Sequence, residues 1–383
     1  MTTSTRSAAY VWQQASWPAW QMDMDALSKP LERASKAQGI LMGRMRDLGM
    51  DERILASVTA LTSDVVKSNE IEGERLNAHS VRSSIARRLG VDVGAIAPED
   101  RSVEGVVDMV LDATLKFDQP LTKDRLFAWH MALFPQSAYR LRDIQIGQWR
   151  NDANGPMQVV SGRMNHERVH YEAPPAGRLE TEVQSFLDWV NQKDTTTPDL
   201  LRAGLGHLWF VTVHPFDDGN GRIARAIGDM LLARADQSSQ RFYSLSAQIM
   251  RHREDYYEIL ERTQKGSLDV TQWLVWFLQS LEGAIEHAHR ALDLVLTKSK
   301  FWQAHSELVL NARQKRVLNK VLDHEFEGKL TNKKWQALAK TTSDTSLRDI
   351  TELVKLGVLE PQGAGRGVHY LIRGFFTDDA TSE

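Results

Sequence analysis

Apolar residues recur at helical spacing along most of the chain. Asp25–Leu48 and Glu52–Val66 each carry such a stripe, and Gly49 between them is placed to stop the first. Residues 101–134 predict two further helices, parted at Gln119-Pro120 and stopped near Pro135, because proline lacks the donor a helix interior needs. Leu179, Val183, Phe186, Leu187 and Val190 form the apolar face of a helix over Leu179–Gln192. Leu201–Val213 predicts a buried helix with Ala203, His207 and Val211 on one stripe and Pro215 just past its end. The helical pattern resumes over Arg222–Arg234, and Val270–Leu296 reads as one long helix carrying Trp273, Trp276 and Phe277. Trp12, Trp17 and Trp20 near the start read as anchors between helices. Strand pattern is confined to two places. Met157–Pro175 reads as a hairpin closed by a double proline, and Val358–Glu360 with Val368–Ile372 flank Gly363–Gly367 as another. The expected fold class is mainly α.

The last part of the chain differs in charge. Residues 313–375 hold 12 Lys and Arg against 7 Asp and Glu, so this stretch carries +5 while the remainder carries −8. Lys329–Lys340 reads as a helix, Thr341–Asp344 as a turn and Thr345–Leu356 as a second helix ended by Gly357, with the C-terminal hairpin following. That order is the order of a winged helix-turn-helix, with Thr345–Lys355 as its recognition helix. The exposed positions expected there mix Arg348 and Lys355 with Asp349 and Glu352. Two readings stay open, DNA binding and a protein-docking or dimerising wing, the last of which would make a homodimer. With a boundary at Ala97–Asp100, the expected domains are a helical region at 1–96, a central domain at 97–297 and the winged helix at 301–376.

Composition adds exclusions. The 383 residues suffice for two or three domains with real cores. A net charge of −3 gives no global pull toward nucleic acid or membrane. There is no cysteine, so disulfides and thiolate metal sites are ruled out. Met1–Val11 lacks the apolar core of a signal peptide, and the most apolar run, Val270–Leu278, is too short to span a bilayer. A soluble, cytoplasmic protein is expected.

The candidate chemistry is concentrated in His214-Pro-Phe-Asp-Asp-Gly-Asn-Gly-Arg-Ile-Ala-Arg225. Its glycines fall at the start of a helix, where free N–H groups and the dipole attract an anion. Arg222 and Arg225 are three apart and share a face of the first turn, which suits a polyphosphate. A carboxylate beside such a cradle suggests a Mg²⁺ ligand, and a histidine at the loop edge can serve as general base near neutral pH.

This stretch resembles the signature of the Fic family, H-P-F-x-[D/E]-G-N-G-R-x-x-R, at every fixed position. The resemblance implies protein adenylylation, the transfer of AMP from ATP to a Ser, Thr or Tyr hydroxyl. It implies His214 as the base that deprotonates the target hydroxyl and Asp218 as the Mg²⁺ ligand. Gly219, Asn220 and Gly221 would form the anion hole, with Arg222 and Arg225 on the triphosphate. Asp217 occupies the variable position and receives no role. Ser68, Glu72 and Gly73 fit the [S/T]-x-x-x-E-[G/N] inhibitory motif of regulated Fic proteins, in which Glu72 would pair with Arg225. Gly147-Gln-Trp-Arg150 resembles the element before the Fic flap. The Met157–Pro175 hairpin would be that flap, clamping the target by strand addition, with Val160, Ser161, Gly162 and Arg163 lining the nucleotide. Tyr256 and Tyr257 match a pair bordering the adenine, and Gln264 falls where some relatives place an Asn on the base.

The resulting expectation is an autoinhibited protein adenylyltransferase that uses ATP and Mg²⁺, modifies a target protein and itself, and carries a C-terminal winged helix. The alternatives are a relative that transfers another phosphate-containing group or removes AMP, and a nucleotide-sensing DNA-binding regulator.

Overall fold

The computed structural model describes residues 9–91, 98, 100–134, 144–163, 166–194, 196–322 and 328–374. The chain divides into two units, Met1–Ala288 and His289–Glu383. The boundary expected at Ala97–Asp100 and the stop expected at Pro135 fall partly or wholly outside the described residues.

In the first unit, α1 (Met24–Arg46) begins at Asp23, whose side chain accepts from the amides of Asp25 and Ala26. Then come α2 (Met50–Ile71), α3 (Ala78–Leu89), α4 (Arg101–Leu115) and α5 (Lys123–Leu133). Asn77 and Thr122 cap α3 and α5 in the same way. A hairpin, β1 (Gln158–Arg163) and β2 (His166–Glu172), precedes α6 (Leu179–Asn191). Its strands pair antiparallel, with a bulge between Val159 and Val160. The remaining helices are α7 (Asp199–Val213), α8 (Asn220–Asp236), α9 (Leu245–Arg251), α10 (Arg253–Gln264) and α11 (Thr271–Ala304), and the division between the units falls within α11.

α7 is the axis of this unit. Every residue from Leu200 to Val213 is buried, and α8 is nearly as enclosed. A helix covered on every face is mostly apolar, Arg202, His207 and Thr212 being the polar residues that α7 buries. Gly204 and Gly206 let those neighbours come close: an added Cβ would lie 2.9 Å from Phe277 and 2.5 Å from Leu231. The tryptophans expected to anchor do so. Trp17 and Trp20 meet Trp209 of α7 edge-on at 6.3 and 6.1 Å, and Trp12 Nε1 donates to the carbonyl of Glu172 at the base of β2. Tyr171, fully buried, donates its hydroxyl to Thr212 O at 2.7 Å, fastening the hairpin to the end of α7.

The second unit contains α12 (Ala312–Leu322), α13 (Asn332–Ala339), α14 (Ser343–Lys355) and an antiparallel pair, β3 (Leu359–Gln362) and β4 (His369–Ile372). Phe301, Val317, Leu318, Trp335, Leu353 and Ile372 meet in its core. α12 was not among the expected elements. α14 starts two residues earlier than expected because the Thr342 hydroxyl accepts from the Thr345 amide. One expectation is overturned. Asp349 is not on the exposed face but 3% accessible, held by Arg313 through two contacts of 3.0 Å and by Asn311 at 3.1 Å. A buried carboxylate needs such partners, and they lie 36 and 38 residues away in sequence, beyond any local pattern.

Two glycines give a matched test of the packing. A Cβ on Gly105 of α4 would stand 1.8 Å from the carbonyl oxygen of Ala132, whereas on Gly39 of α1 it would meet nothing within 4 Å. Gly105→Ala should therefore destabilise the unit by about 1–3 kcal/mol, as overpacking does. Gly39→Ala should stabilise it by roughly 0.5–1 kcal/mol. Denaturant midpoints at unchanged slope are the measurement, and equal midpoints would contradict the packing described.

Candidate functional site

α7 ends at His214, whose backbone is left-handed at φ 51° and whose amide still donates to Phe210 O at 3.0 Å. Its Nδ1 lies 3.0 Å from the carbonyl of Val211. A carbonyl only accepts, so Nδ1 carries the proton and Nε2 keeps a lone pair. Burial, reinforced by the charge of Arg150 and only partly offset by the Val211 bond, pushes the imidazole pKa down to about 4. The imidazole is therefore neutral at physiological pH.

The turn beyond it closes on itself. Asn220 Oδ1 accepts from the Phe216 amide at 3.0 Å, and its Nδ2 donates to Phe216 O at 2.7 Å. Gly219 caps α8 at φ 83°, a conformation in which a Cβ would also press on Phe134 at 3.0 Å. The free amides of the first turn of α8 thus follow the turn directly. Asp218 Oδ1 accepts from the Gly219 amide and lies 3.7 Å from Arg222 Nη2.

Arg222 and Arg225 are almost wholly buried, at 2% and 4% exposure. Arg225 donates from Nη2 to Glu72 Oε1 at 2.7 Å and to Ser68 O at 2.9 Å, and from Nε to Ser68 Oγ at 2.8 Å. Arg222 Nη1 donates to Glu74 Oε2 at 2.7 Å. Arg225 Nη1 and Arg222 Nε are buried with no hydrogen-bond partner. Unsatisfied cationic donors beside a helix N-terminus fit an anion bearing several negative charges.

The structure thus brings Ser68 and Glu72 onto Arg225. Glu72 sits at the end of α2, and Gly73 at φ 84° turns the chain so that Glu74 also faces α8. Burial alone would raise the Glu72 pKa, but Arg225, then Arg222 and His214, outweigh it and hold the carboxyl below its ordinary range. Gly221 makes the approach feasible, since a Cβ there would lie 2.3 Å from Glu72 Oε1. Sequence reading missed Glu74; the signal was a second acid just across the left-handed glycine.

On the hairpin, Val160 is 45% exposed, Ser161 is exposed and Gly162 has φ 115°. The side chain of Arg163 lies outside the described residues. The Ser161 hydroxyl meets His170 Nε2 at 2.5 Å, and His170 Nδ1 and Arg168 reach Glu261 of α10 at 2.6 and 3.0 Å. Burial opposes ionisation of Glu261, but its bonds to Lys265, His170 and Arg168 prevail and bring its pKa to about 2. Of the aromatic pair, Tyr256 is buried with its hydroxyl 3.0 Å from His207 Nε2, while Tyr257 is 39% exposed and donates to Ile71 O at 3.3 Å. Gln264 is buried against the end of α7, 3.3 Å from Thr212 Oγ1.

Residues 120–232 match the family model of the Fic/DOC family, and residues 10–91 match a domain of unknown function, DUF4172. A protein adenylyltransferase Fic of Nematostella vectensis is 26% identical over 257 residues, 65% of this chain and 52% of that one. The protein of the same name in Aedes aegypti is 26% identical over 216 residues, 56% of this chain and 39% of that one. The chain thus spans about half or less of the length of these relatives. Among solved structures, a Fic family protein from Desulfovibrio desulfuricans G20 aligns with TM-score 0.51 at 18% identity, covering 92% of this chain and 97% of that one. A Fic domain containing signaling protein from Bacteroides thetaiotaomicron aligns with TM-score 0.50 at 17% identity, covering 72% and 97%. Residues 120–232 thus carry a domain of the Fic/DOC family.

Proposed function

We propose that this chain transfers AMP from ATP to a Ser, Thr or Tyr hydroxyl of a target protein. The observation that carries the reading is the pair of buried arginines with uncommitted donors, on the same loop and helix as an imidazole whose Nε2 is free to accept a proton. In the proposed reaction the target oxygen attacks the α-phosphorus as its proton passes to His214 Nε2. The new phosphorus–oxygen bond forms as the bond to the bridging oxygen breaks, and pyrophosphate leaves. Arg222, Arg225 and the amides of Gly219, Asn220 and Gly221 would hold the phosphates and offset developing charge. Val160, Ser161, Gly162 and Arg163 on the hairpin, with Tyr257 across it, would orient acceptor and nucleotide.

Asp218 is a fit ligand for Mg²⁺, being a part-exposed carboxylate beside the phosphate donors. Among the described residues no three His, Asp or Glu side chains gather into a metal cluster, so nucleotide oxygens would complete the shell, the usual arrangement for this ion. When bound, Mg²⁺ would neutralise phosphate charge.

The contacts of Glu72 and Glu74 support an autoinhibited resting state, in which each motif arginine is engaged by a carboxylate from the end of α2. A triphosphate would then bind with its α-phosphorus misplaced. Self-modification is part of the same proposal. The second unit supports a further reading, a winged helix that binds DNA. With Asp349 neutralised by Arg313, the open face of α14 presents Arg348, Thr351 and Lys355 together with Asp344 and Glu352.

ATP labelled at the α-phosphate should leave label on protein. Label from the γ-phosphate would instead mean phosphoryl transfer, and none from either would mean a nucleotide sensor. His214→Ala should cut transfer by about 10²–10⁴, as loss of a general base does, while ATP still binds. Glu72→Gly should raise self-labelling on the order of 10²-fold, since misplacement by about 1 Å costs that much. Glu74→Ala should give a smaller gain, and Glu72→Gly with His214→Ala should stay inactive. No gain in folded Glu72→Gly would end the autoinhibition reading. For the second unit, duplex DNA affinity should fall steeply with salt as counterions are released; binding indifferent to salt, or none, would favour a protein partner.

A further inference from the structure

The reacting loop is held in large part from outside itself. Arg150 Nε donates to His214 O at 2.7 Å, and the Arg150 amide donates to Pro215 O at 3.0 Å. The ring of His130 stacks on Phe216 at 4.1 Å and 7°, with Trp149 on the same ring at 5.0 Å. The Gln145 amide donates to Asp217 Oδ2 at 2.8 Å. His130 Nε2 lies 3.2 Å from Asp218 O, and its Nδ1 lies 3.0 Å from the Gly147 amide. Every residue from His214 to Asp218 is thus gripped by the strap Gln145–Arg150 or by His130 of α5.

The protonation of His130 follows from its partners. A backbone amide must donate and a carbonyl must accept, so Nδ1 is bare and the proton sits on Nε2. One neutral imidazole therefore bonds the strap with one nitrogen and the loop with the other. Gly147 reaches it at φ 70°, where a Cβ would stand 2.8 Å from Met131. Asp217 of the loop also accepts from the strap, its carboxylate oxygen engaged by the Gln145 amide.

We propose that His130 and Asp217 are positioning residues, which hold the strap and the loop in register so that His214 and Asp218 stand where the proposed reaction needs them. The inference rests on that reaction for its kinetic consequence but not for the clasp itself. It assigns Asp217 an acceptor's task in which its charge is dispensable, and it makes His130 more than a packed core histidine.

The test uses the full chain carrying Glu72→Gly as parent, with His130→Phe, Asp217→Ala and Asp217→Asn added singly. Amide hydrogen exchange over residues 144–150 and 214–219, ATP affinity, and the rate of α-label transfer as a function of Mg²⁺ and ATP are measured on each. His130→Phe keeps the stacked ring and loses both hydrogen bonds. It should speed exchange in both segments and lower kcat on the order of 10²-fold, the cost of misplacing reacting groups by about 1 Å, with KM for ATP little changed. Asp217→Ala should do the same in milder form, and Asp217→Asn should restore the parent, because a carboxamide oxygen still accepts from Gln145. Parent-like exchange and turnover in His130→Phe would overturn the proposal. So would an Asp217→Asn that behaves as Asp217→Ala with a shifted Mg²⁺ titration. Should His130→Phe fail to fold, the half-buried Asp217 pair decides by itself. A parent that transfers no label would end the proposed reaction, and exchange with ATP affinity would then decide the clasp.

Discussion

Two guanidinium groups enclosed at the start of α8 set the terms for what surrounds them. A buried cation is tolerated only when paired and hydrogen-bonded. Arg222 and Arg225 meet that demand with Glu74 and Glu72, carboxylates that arrive from the end of α2, about 150 residues away. The pairs are asymmetric. The arginines are almost sealed, whereas the Glu72 and Glu74 side chains keep 31% and 35% exposure, so the carboxylates are the partners that can leave at lower cost. A phosphate could take their place without stripping the arginines of partners, and the two unpartnered nitrogens mark where further acceptors would sit. The same constraint explains the glycines. Gly73 turns the second acid inward and Gly221 leaves room for the first.

Around that centre the scaffold fixes the histidine and the base of the hairpin. α7 is covered on every face, and its last turn supplies the carbonyl that fixes the tautomer of His214. The hairpin is fastened at its base by Tyr171 and Trp12 and further along by Glu261. Its outer residues, Val160 and Ser161 among them, stay open to solvent. A fixed base with an open edge is what a surface needs in order to receive an extended segment.

Much of this was legible in the sequence, for a physical reason. Helical periodicity and proline stops are local, so the helix pattern around Leu179–Gln192 and Leu201–Val213 could be read directly, as could the turn into α8. The motif residues lie within twelve positions, and their nearness in space follows from their nearness in the chain. What escaped depends on distant pairing. His130 looks like any histidine on a helix until Gly147 and Asp218 are seen on its two nitrogens. Asp349 shares its helical phase with buried Ser346 and Leu353, but a carboxylate is not expected there until Arg313 is seen to pair with it. Glu74 needed the left-handed turn at Gly73 to face inward. α12 went unread because its apolar stripe, Val317, Leu318 and Leu322, lies in a segment whose basic charge draws the eye first.

Along the chain, residues 10–91 and 120–232 match two separate families and look like neighbours that merely share a polypeptide. In space the charges do not respect that division. Both carboxylates lie in the first stretch and both guanidinium groups in the second, so neither stretch by itself satisfies its own ionised groups. The join between the two is therefore a working surface rather than a seam. Whatever loosens one region's grip on the other changes the electrostatics around the buried arginines directly, with no need for a signal to travel through the core.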